Sequence, residues 1–221
     1  MIRTYRQFSG QNLGRLAALS DGIFAVAMTL LILNLHLPSV AASHTEQPLW
    51  AGGALAAEAT VWNALVPLGP QLLTYLMSFL TLGIFWAGQQ TQLNHFSRSD
   101  HRLTWIHLAF LLVVIFMPFS TALLAEYITY RLPMLIYWVN LFLLGALLFV
   151  SIRYARHAGL LTAEATPEVI AASERRIIVY QILYAGAILL CVVNTYLAIA
   201  VLVLLQINSV IVPRIGPLNR F

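Results

Sequence analysis

Long uninterrupted apolar runs limit what this chain can fold into more than any other feature. The last run extends from Arg175 to Val212, about 38 residues, and one helix of that length would measure about 57 Å. The hydrocarbon core of a bilayer is about 30 Å thick, so this run must hold two membrane-crossing helices with a break between them. Asn194 is the polar residue at which we expect the break.

The composition also indicates a membrane protein. Of the 221 residues, 60% are hydrophobic and 9% are charged, whereas soluble domains average about half apolar and about a quarter charged. A transmembrane β-barrel would show short segments of alternating polarity, but the apolar runs here are continuous. We therefore predict an all-α integral membrane protein with one domain over residues 1–221 and six transmembrane helices, at about 16–37, 71–90, 103–125, 133–152, 175–193 and 195–212.

The arginines indicate the orientation in the membrane. All twelve basic residues are arginine, and basic residues concentrate in cytoplasmic segments. They stand in short segments between apolar runs, which argues against a nucleic-acid-binding face. We expect both termini in the cytoplasm and a multi-pass location in the inner or plasma membrane. The outer side then holds only Arg131, and the cytoplasmic segments hold Arg3, Arg6, Arg15, Arg98, Arg102, Arg153, Arg156, Arg175, Arg176, Arg214 and Arg220.

The first span is unusual because polar residues stand at its cytoplasmic end. Arg15, Ser20 and Asp21 precede an otherwise apolar helix, and an ionisable group at this depth needs a partner or water. An arginine or the hydroxyls of neighbouring helices would satisfy Asp21 and form a structural lock. Alternatively, Ser20 and Asp21 mark the entry of the helix at the level of the lipid headgroups.

Two apolar stripes can be drawn on this helix. Val26, Leu30 and Leu33 fall within about 60° of one another, and Asp21 points about 140° away from Val26. Either stripe would also suit ordinary packing against other helices or lipid. The second stripe, about 60° round the helix, holds Ile23, Ala27, Leu30 and Asn34.

Arg15 and the triplet Leu19-Ser20-Asp21 resemble the R-x-x-x-F-S-D signature on the first helix of the transmembrane-protein-175 potassium channels, with Leu19 in place of phenylalanine. The resemblance is specific over roughly the first 130 residues and continues as a six-span layout. It includes Thr29-Leu30-Leu31, Ser78-Phe79, Trp86 and the stretch from Pro118 to Leu123.

The resemblance implies a weakly to moderately potassium-selective cation channel, a homotetramer whose first helices line a central pore. Val26 would form the narrowest layer, with Leu30 and Leu33 as further apolar layers, and such rings gate by excluding water. Thr29 would either coordinate a partly dehydrated ion or bond back to the carbonyl of Ala25.

The resemblance further implies a structural network at the cytoplasmic end of the pore helix. One departure concerns Gln89 and Gln90, which stand where relatives often carry histidine; glutamine can hydrogen-bond but cannot titrate. The six histidines never pair at metal-ligand spacing, so we expect no metal site and no cofactor. The expected network comprises Arg15, Ser20, Asp21, Trp86 and His107.

Three other classes of membrane protein compete with a channel. A secondary transporter would show repeated halves and interrupted helices, and neither is visible. A membrane enzyme would carry a motif such as H-E-x-x-H or G-x-S-x-G, and neither occurs in the sequence. A structural scaffold would also fit the composition, and the signature at Arg15, Ser20 and Asp21 is what argues against it.

Overall fold

The computed structural model describes residues 13–33, 35, 48, 50–52 and 54–211, and this part of the chain is helical. Short 3₁₀ turns, Val66–Leu68 and Leu190–Val192, precede the third helix and extend the sixth. The helices are α1 (Leu13–Leu33), α2 (Ala54–Leu65), α3 (Gly69–Asn94), α4 (His101–Glu126), α5 (Arg131–His157), α6 (Pro167–Leu189) and α7 (Thr195–Val210).

Five helical stretches are long and apolar enough to cross a membrane: α1, α2 continued through α3, α4, α5, and α6 with its 3₁₀ turn. Helix α7 is apolar but shorter, at 16 residues, or about 24 Å. The prediction of an all-α membrane protein is confirmed: five of the six predicted spans correspond to these stretches and the sixth corresponds to α7. The predicted ends of the first and last spans, at 37 and 212, lie outside the described residues.

The 12-residue helix α2 occupies part of the long segment that precedes α3. Its Trp62 and the preceding Trp50 are largely exposed, and indole rings of this kind favour the interface between membrane and water. The segment between the first two predicted spans therefore includes a short helix that presents one tryptophan outward, and a second exposed tryptophan precedes it.

Polar caps begin the last two helices. The Thr166 hydroxyl accepts a hydrogen bond from the Val169 amide, and Pro167 occupies the first turn of α6. The Asn194 side chain accepts hydrogen bonds from the amides of Tyr196 and Leu197 at the start of α7. Each cap satisfies amides that have no partner inside the helix. The long apolar run is thus divided at Asn194.

A buried polar cluster joins α3, α4, α5 and α7 inside the bundle. The Tyr137 hydroxyl lies 3.0 Å from Thr81 Oγ1, which accepts a 2.6 Å hydrogen bond from Gln206 Nε2. Thr121 donates to Ser78 Oγ over 2.7 Å. All five side chains are at most 3% exposed, so the bonds stay within the protein. Such bonds specify how apolar helices pack, because lipid provides no competing partner.

The loops at one end of the bundle are hydrogen-bonded to each other. Arg98 and Arg153 lie at this end, which is called the arginine-rich end. The Ser97 amide donates to the Leu160 carbonyl over 2.8 Å, and the Thr162 amide donates to the His95 carbonyl over 2.9 Å. Gly159 turns the chain with a φ of +64°, a conformation that glycine adopts without strain. The α3–α4 connection is therefore fixed to the α5–α6 connection.

Gly145 permits the close approach of α5 and α6. A Cβ atom at this position would overlap the Gln181 amide, which donates to the Leu141 carbonyl over 3.2 Å. Gly145→Ala should lower stability by about 1 kcal/mol relative to Gly186→Ala, because Gln181 must leave its hydrogen bond. Gly186 is a matched control because open space surrounds the Cβ position there. Apparent melting temperatures in detergent would measure the difference, and equal values would contradict this account.

Candidate pore helix and its polar anchor

Helix α1 has one buried face. Its buried side chains recur every three or four residues, so they form a single stripe. Phe24 packs against Phe110 of α4, with ring centroids 6.0 Å apart. This stripe attaches α1 to α3 and α4, and it consists of Leu16, Ser20, Phe24, Ala27 and Leu31.

The other side of α1 is bare in the single chain. Val26 is 57% exposed, Leu30 is 41% exposed and Leu33 is 70% exposed. They lie within about 60° of one another on the helix, and this face is called the Val26 face below. Apolar side chains with this exposure need lipid, another subunit or a narrow pore as their surroundings.

The second stripe has a different position. Ala27 is 2% exposed, and Ile23 packs against the core. Within the single chain, Ile23 and Ala27 are therefore turned toward the neighbouring helices of the subunit. Asn34, its outermost predicted member, lies outside the described residues.

Thr29 bonds to its own helix. Its hydroxyl donates to the carbonyl of Val26 over 2.8 Å, rather than to the carbonyl of Ala25 named in the sequence analysis. A hydroxyl in this arrangement has its proton engaged, while its oxygen lone pairs remain available. The exposed side chain of Thr29 thus lies at the edge of the Val26 face.

Asp21 is held by two side chains of α3. The Trp86 indole donates to Asp21 Oδ1 over 2.8 Å, and the Gln90 amide donates to the same oxygen over 2.6 Å. Hydrogen bonds to an ionised carboxylate are stronger than those between neutral groups. Trp86 belongs to the network implied by the family resemblance and Gln90 does not, and both attach the start of the apolar helix to α3.

Ser20 begins a second chain of hydrogen bonds that continues to α5. Its hydroxyl donates to the Leu16 carbonyl over 2.9 Å and accepts from Gln89 Nε2 over 3.0 Å. The same amide lies 3.3 Å from Nδ1 of His107, and Nε2 of His107 lies 3.2 Å from the Ser151 hydroxyl. These interior groups are almost fully buried, so the chain links α1, α3, α4 and α5 without solvent.

The structure therefore brings together Ser20, Asp21, Trp86 and His107 from the predicted network. It places Arg15 exposed in the first turn of α1. The connections come from Gln89, Gln90 and Ser151. The two glutamines were expected only as a departure from the family pattern that can still hydrogen-bond, and Ser151 was not expected. The spacing of Trp86, Gln89 and Gln90 was the available signal, because positions three and four apart share one helix face.

Among the residues that the structure describes, no group of three or more His, Cys, Asp or Glu side chains could hold a metal ion. The polar groups beside α1 are amides, hydroxyls, an indole, one imidazole and one carboxylate. Such groups position helices in a membrane and can donate or accept hydrogen bonds.

A bundle of apolar helices whose first helix is anchored on one side and bare on the other defines a polytopic helical membrane protein. Comparison with known proteins then identifies its relatives. Segment 15–118 matches the family model described as the endosomal/lysosomal potassium channel TMEM175. The resemblance to the transmembrane-protein-175 family that the sequence motif predicts is confirmed over this segment.

Two curated relatives are similar over about half of the chain. A protein named a potassium channel from Streptomyces collinus is 37% identical over 115 residues, 52% of this chain and 48% of that protein. Another so named, from Chamaesiphon minutus, is 33% identical over 115 residues, 52% of this chain and 50% of that protein. The matched segment thus spans about half the length of these curated relatives.

One solved structure is similar over most of the chain. It is the crystal structure of a lysosomal potassium-selective channel TMEM175 homolog from Chamaesiphon minutus, with a TM-score of 0.71 and 25% identity. The match covers 90% of this chain and 96% of that chain. The structural similarity therefore extends to the later helices. For these helices the sequence resemblance predicted only the six-span layout.

The bond between Asp21 and Trp86 can be measured by a double-mutant cycle with Asp21→Ala and Trp86→Phe. We expect a coupling free energy of about 1–2 kcal/mol, because the carboxylate accepts a charge-assisted hydrogen bond from the indole. Thermal unfolding of the solubilised protein would provide the four values. A matched cycle of Asp21→Ala with Trp105→Phe, on α4, should be additive; additivity in both cycles would contradict the anchor.

Proposed function

We propose that this protein is a potassium channel subunit that conducts passively through a central pore, with weak to moderate preference for potassium. Two curated relatives are named potassium channels. The similar solved structure is titled a potassium-selective channel. The channel proposal also accounts for a first helix that carries large apolar side chains on a bare face.

The observation that carries this proposal is the exposure of the Val26 face beside a firmly buried opposite face. Phe24 and Ala27 are each 2% exposed, whereas Leu33 is 70% exposed. Helix α1 therefore has one defined orientation, and its bare face has a fixed direction. We propose that this direction is the pore axis.

One copy of α1 cannot enclose a pore, so the proposal requires a closed ring of subunits. We propose a homotetramer, in which four Val26 side chains form the narrowest layer and Leu30 and Leu33 form two further layers. Apolar rings of this kind exclude water when narrow, and modest widening restores conduction. Thr29, at the edge of the same face, offers oxygen lone pairs to a partly dehydrated ion.

The anchor to α3 has a structural role in this proposal. Asp21 points about 140° away from Val26, toward Trp86 and Gln90 of the same subunit. Ser20, Gln89 and His107 fix the neighbouring turn of α1. We propose that both sets of bonds determine the rotation of the pore helix, and thus which side chains meet at the axis.

Orientation and location follow from the distribution of arginine. We propose that both termini lie in the cytoplasm and that the protein resides in the inner or plasma membrane, because eleven of twelve arginines then face inward. Potassium ions and bilayer lipid are its proposed partners.

Potassium flux into liposomes containing the purified protein tests the function. We expect passive flux down a potassium gradient, a lower flux of sodium and no flux of a large organic cation. Valinomycin is added at the end of each assay, and the potassium flux that it causes shows that the liposomes still held a gradient. Flux that requires a second, coupled ion gradient would support a secondary transporter and contradict the channel.

The gate is tested by Val26→Asn in the same assay. A polar ring at the narrowest layer retains water, so we expect potassium flux to rise by at least about tenfold. Ile32→Asn is the matched control, because Ile32 is 47% exposed on α1 but lies about 120° from Val26. If Ile23→Asn raised the potassium flux and Val26→Asn did not, the second stripe would line the pore instead.

Single cysteines test whether the Val26 faces of several subunits meet at one axis. They are introduced in a Cys191→Ser background, which removes the cysteine of this chain. Leu33→Cys should react with a short bifunctional maleimide to give products of two chains, because a chain with one thiol can be joined to only one other. A charged thiol reagent should lower its flux. Ile182→Cys is the control, since Ile182 of α6 is similarly exposed at 65%. Equal cross-linking and equal block at both positions would contradict a pore along α1.

A further inference from the structure

A cleft separates α3 from α6 and is lined also by α5 and α7. Its volume is about 490 Å³, which is within the range of small-molecule sites. Most of its wall is apolar, and Phe79, Ile84 and Ile177 contribute to it. This space is distinct from the Val26 face, because α1 contributes no residue to its lining.

The charged side chain of the lining lies at one end of the cleft. Ser173, Arg176 and Thr91 line that end, and Phe79 and Tyr184 line the other. The polar end lies at the arginine-rich end of the bundle, because Glu174 forms ion pairs with Arg153 and Arg156 at the end of α5. An apolar chamber with one charged end matches an amphipathic molecule.

Arg176 is the charged group at this end. Its guanidinium lies 5.9 Å from the centre of the Tyr180 ring, and no carboxylate of the described residues pairs with it, whereas Arg153 and Arg156 both pair with Glu174. An exposed guanidinium beside an apolar cleft attracts a phosphate, for which arginine geometry is well suited.

The length of the cleft matches one leaflet of a bilayer. Along α3 it extends from Phe79 to Gln92, which is about 20 Å at 1.5 Å per residue. Half of a 30 Å hydrocarbon core is about 15 Å. An acyl chain of a phospholipid would therefore occupy the apolar part while its headgroup reaches Arg176.

From these observations we propose that the cleft binds a phospholipid with a net negative headgroup, its phosphate at Arg176 and an acyl chain between α3 and α6. The cleft also touches the anchor of α1, because Trp86 lines it and donates to Asp21. A bound acyl chain would hold the Trp86 ring in the position that makes this hydrogen bond. The proposal concerns lipid binding and is independent of conduction.

Native mass spectrometry of the full chain tests the binding, with phosphatidylglycerol and phosphatidylcholine added in equal amounts to delipidated protein. We expect retention of phosphatidylglycerol over phosphatidylcholine. Arg176→Gln should lower retention of phosphatidylglycerol about fivefold, which corresponds to about 1 kcal/mol for one arginine near an anionic headgroup. Arg102→Gln, at the same end of the bundle but outside the cleft, should leave retention unchanged.

A second variant distinguishes lipid binding inside the cleft from attraction of the headgroup to surface charge. Gly83 lines the cleft and open space surrounds its Cβ position, so Gly83→Leu should fill the chamber and lower retention with Arg176 intact. Gly186→Leu is the control, since Gly186 also has open space but is outside the lining.

Two results would overturn the proposal. One is equal retention of phosphatidylglycerol by all these proteins. The other is that Gly83→Leu abolishes the oligomer while the number of lipids bound per chain stays the same. This result would show that a second copy of the chain, rather than a lipid, covers the cleft. Size-exclusion profiles of each variant would establish that it is folded.

Discussion

The attachment of α1 to the rest of the subunit is the constraint on which the remainder of the structure depends. The hydrophobic effect does not determine the rotation of a helix about its own axis in lipid, because lipid tails are as apolar as leucine. Here the rotation is specified by packing of Phe24 against Phe110 and by the bonds of Ser20 and Asp21 to α3. The bare Val26 face is the geometric result of that attachment.

The sequence predicts the number and approximate position of the helices because the length of apolar runs has a direct physical meaning in a bilayer. It also predicts the division at Asn194, because asparagine is a residue type that caps helices. These features depend on local chemistry, so no knowledge of the tertiary arrangement is needed.

Partners across helices could not be predicted in the same way. The residues alone favoured an arginine or hydroxyl groups as partners of Asp21, and the family resemblance added Trp86 to the network. The structure places Trp86 and Gln90 beside Asp21. The choice depends on the rotation of α3 relative to α1, which one sequence does not specify. Similarly, the sequence offered two stripes on α1, and the burial of Ala27 in one of them becomes visible only once the neighbouring helices are in place.

The bare face of α1 also affects how the proposed pore would respond to voltage. From Gly22 to Leu33 this helix carries no charged side chain, whereas voltage sensors depend on arginines that move through the membrane field. Rotation or widening of this part of α1 would therefore move no formal charge across the bilayer. A ring of such helices would pass current in proportion to the driving force, and membrane potential would supply almost no work to open it.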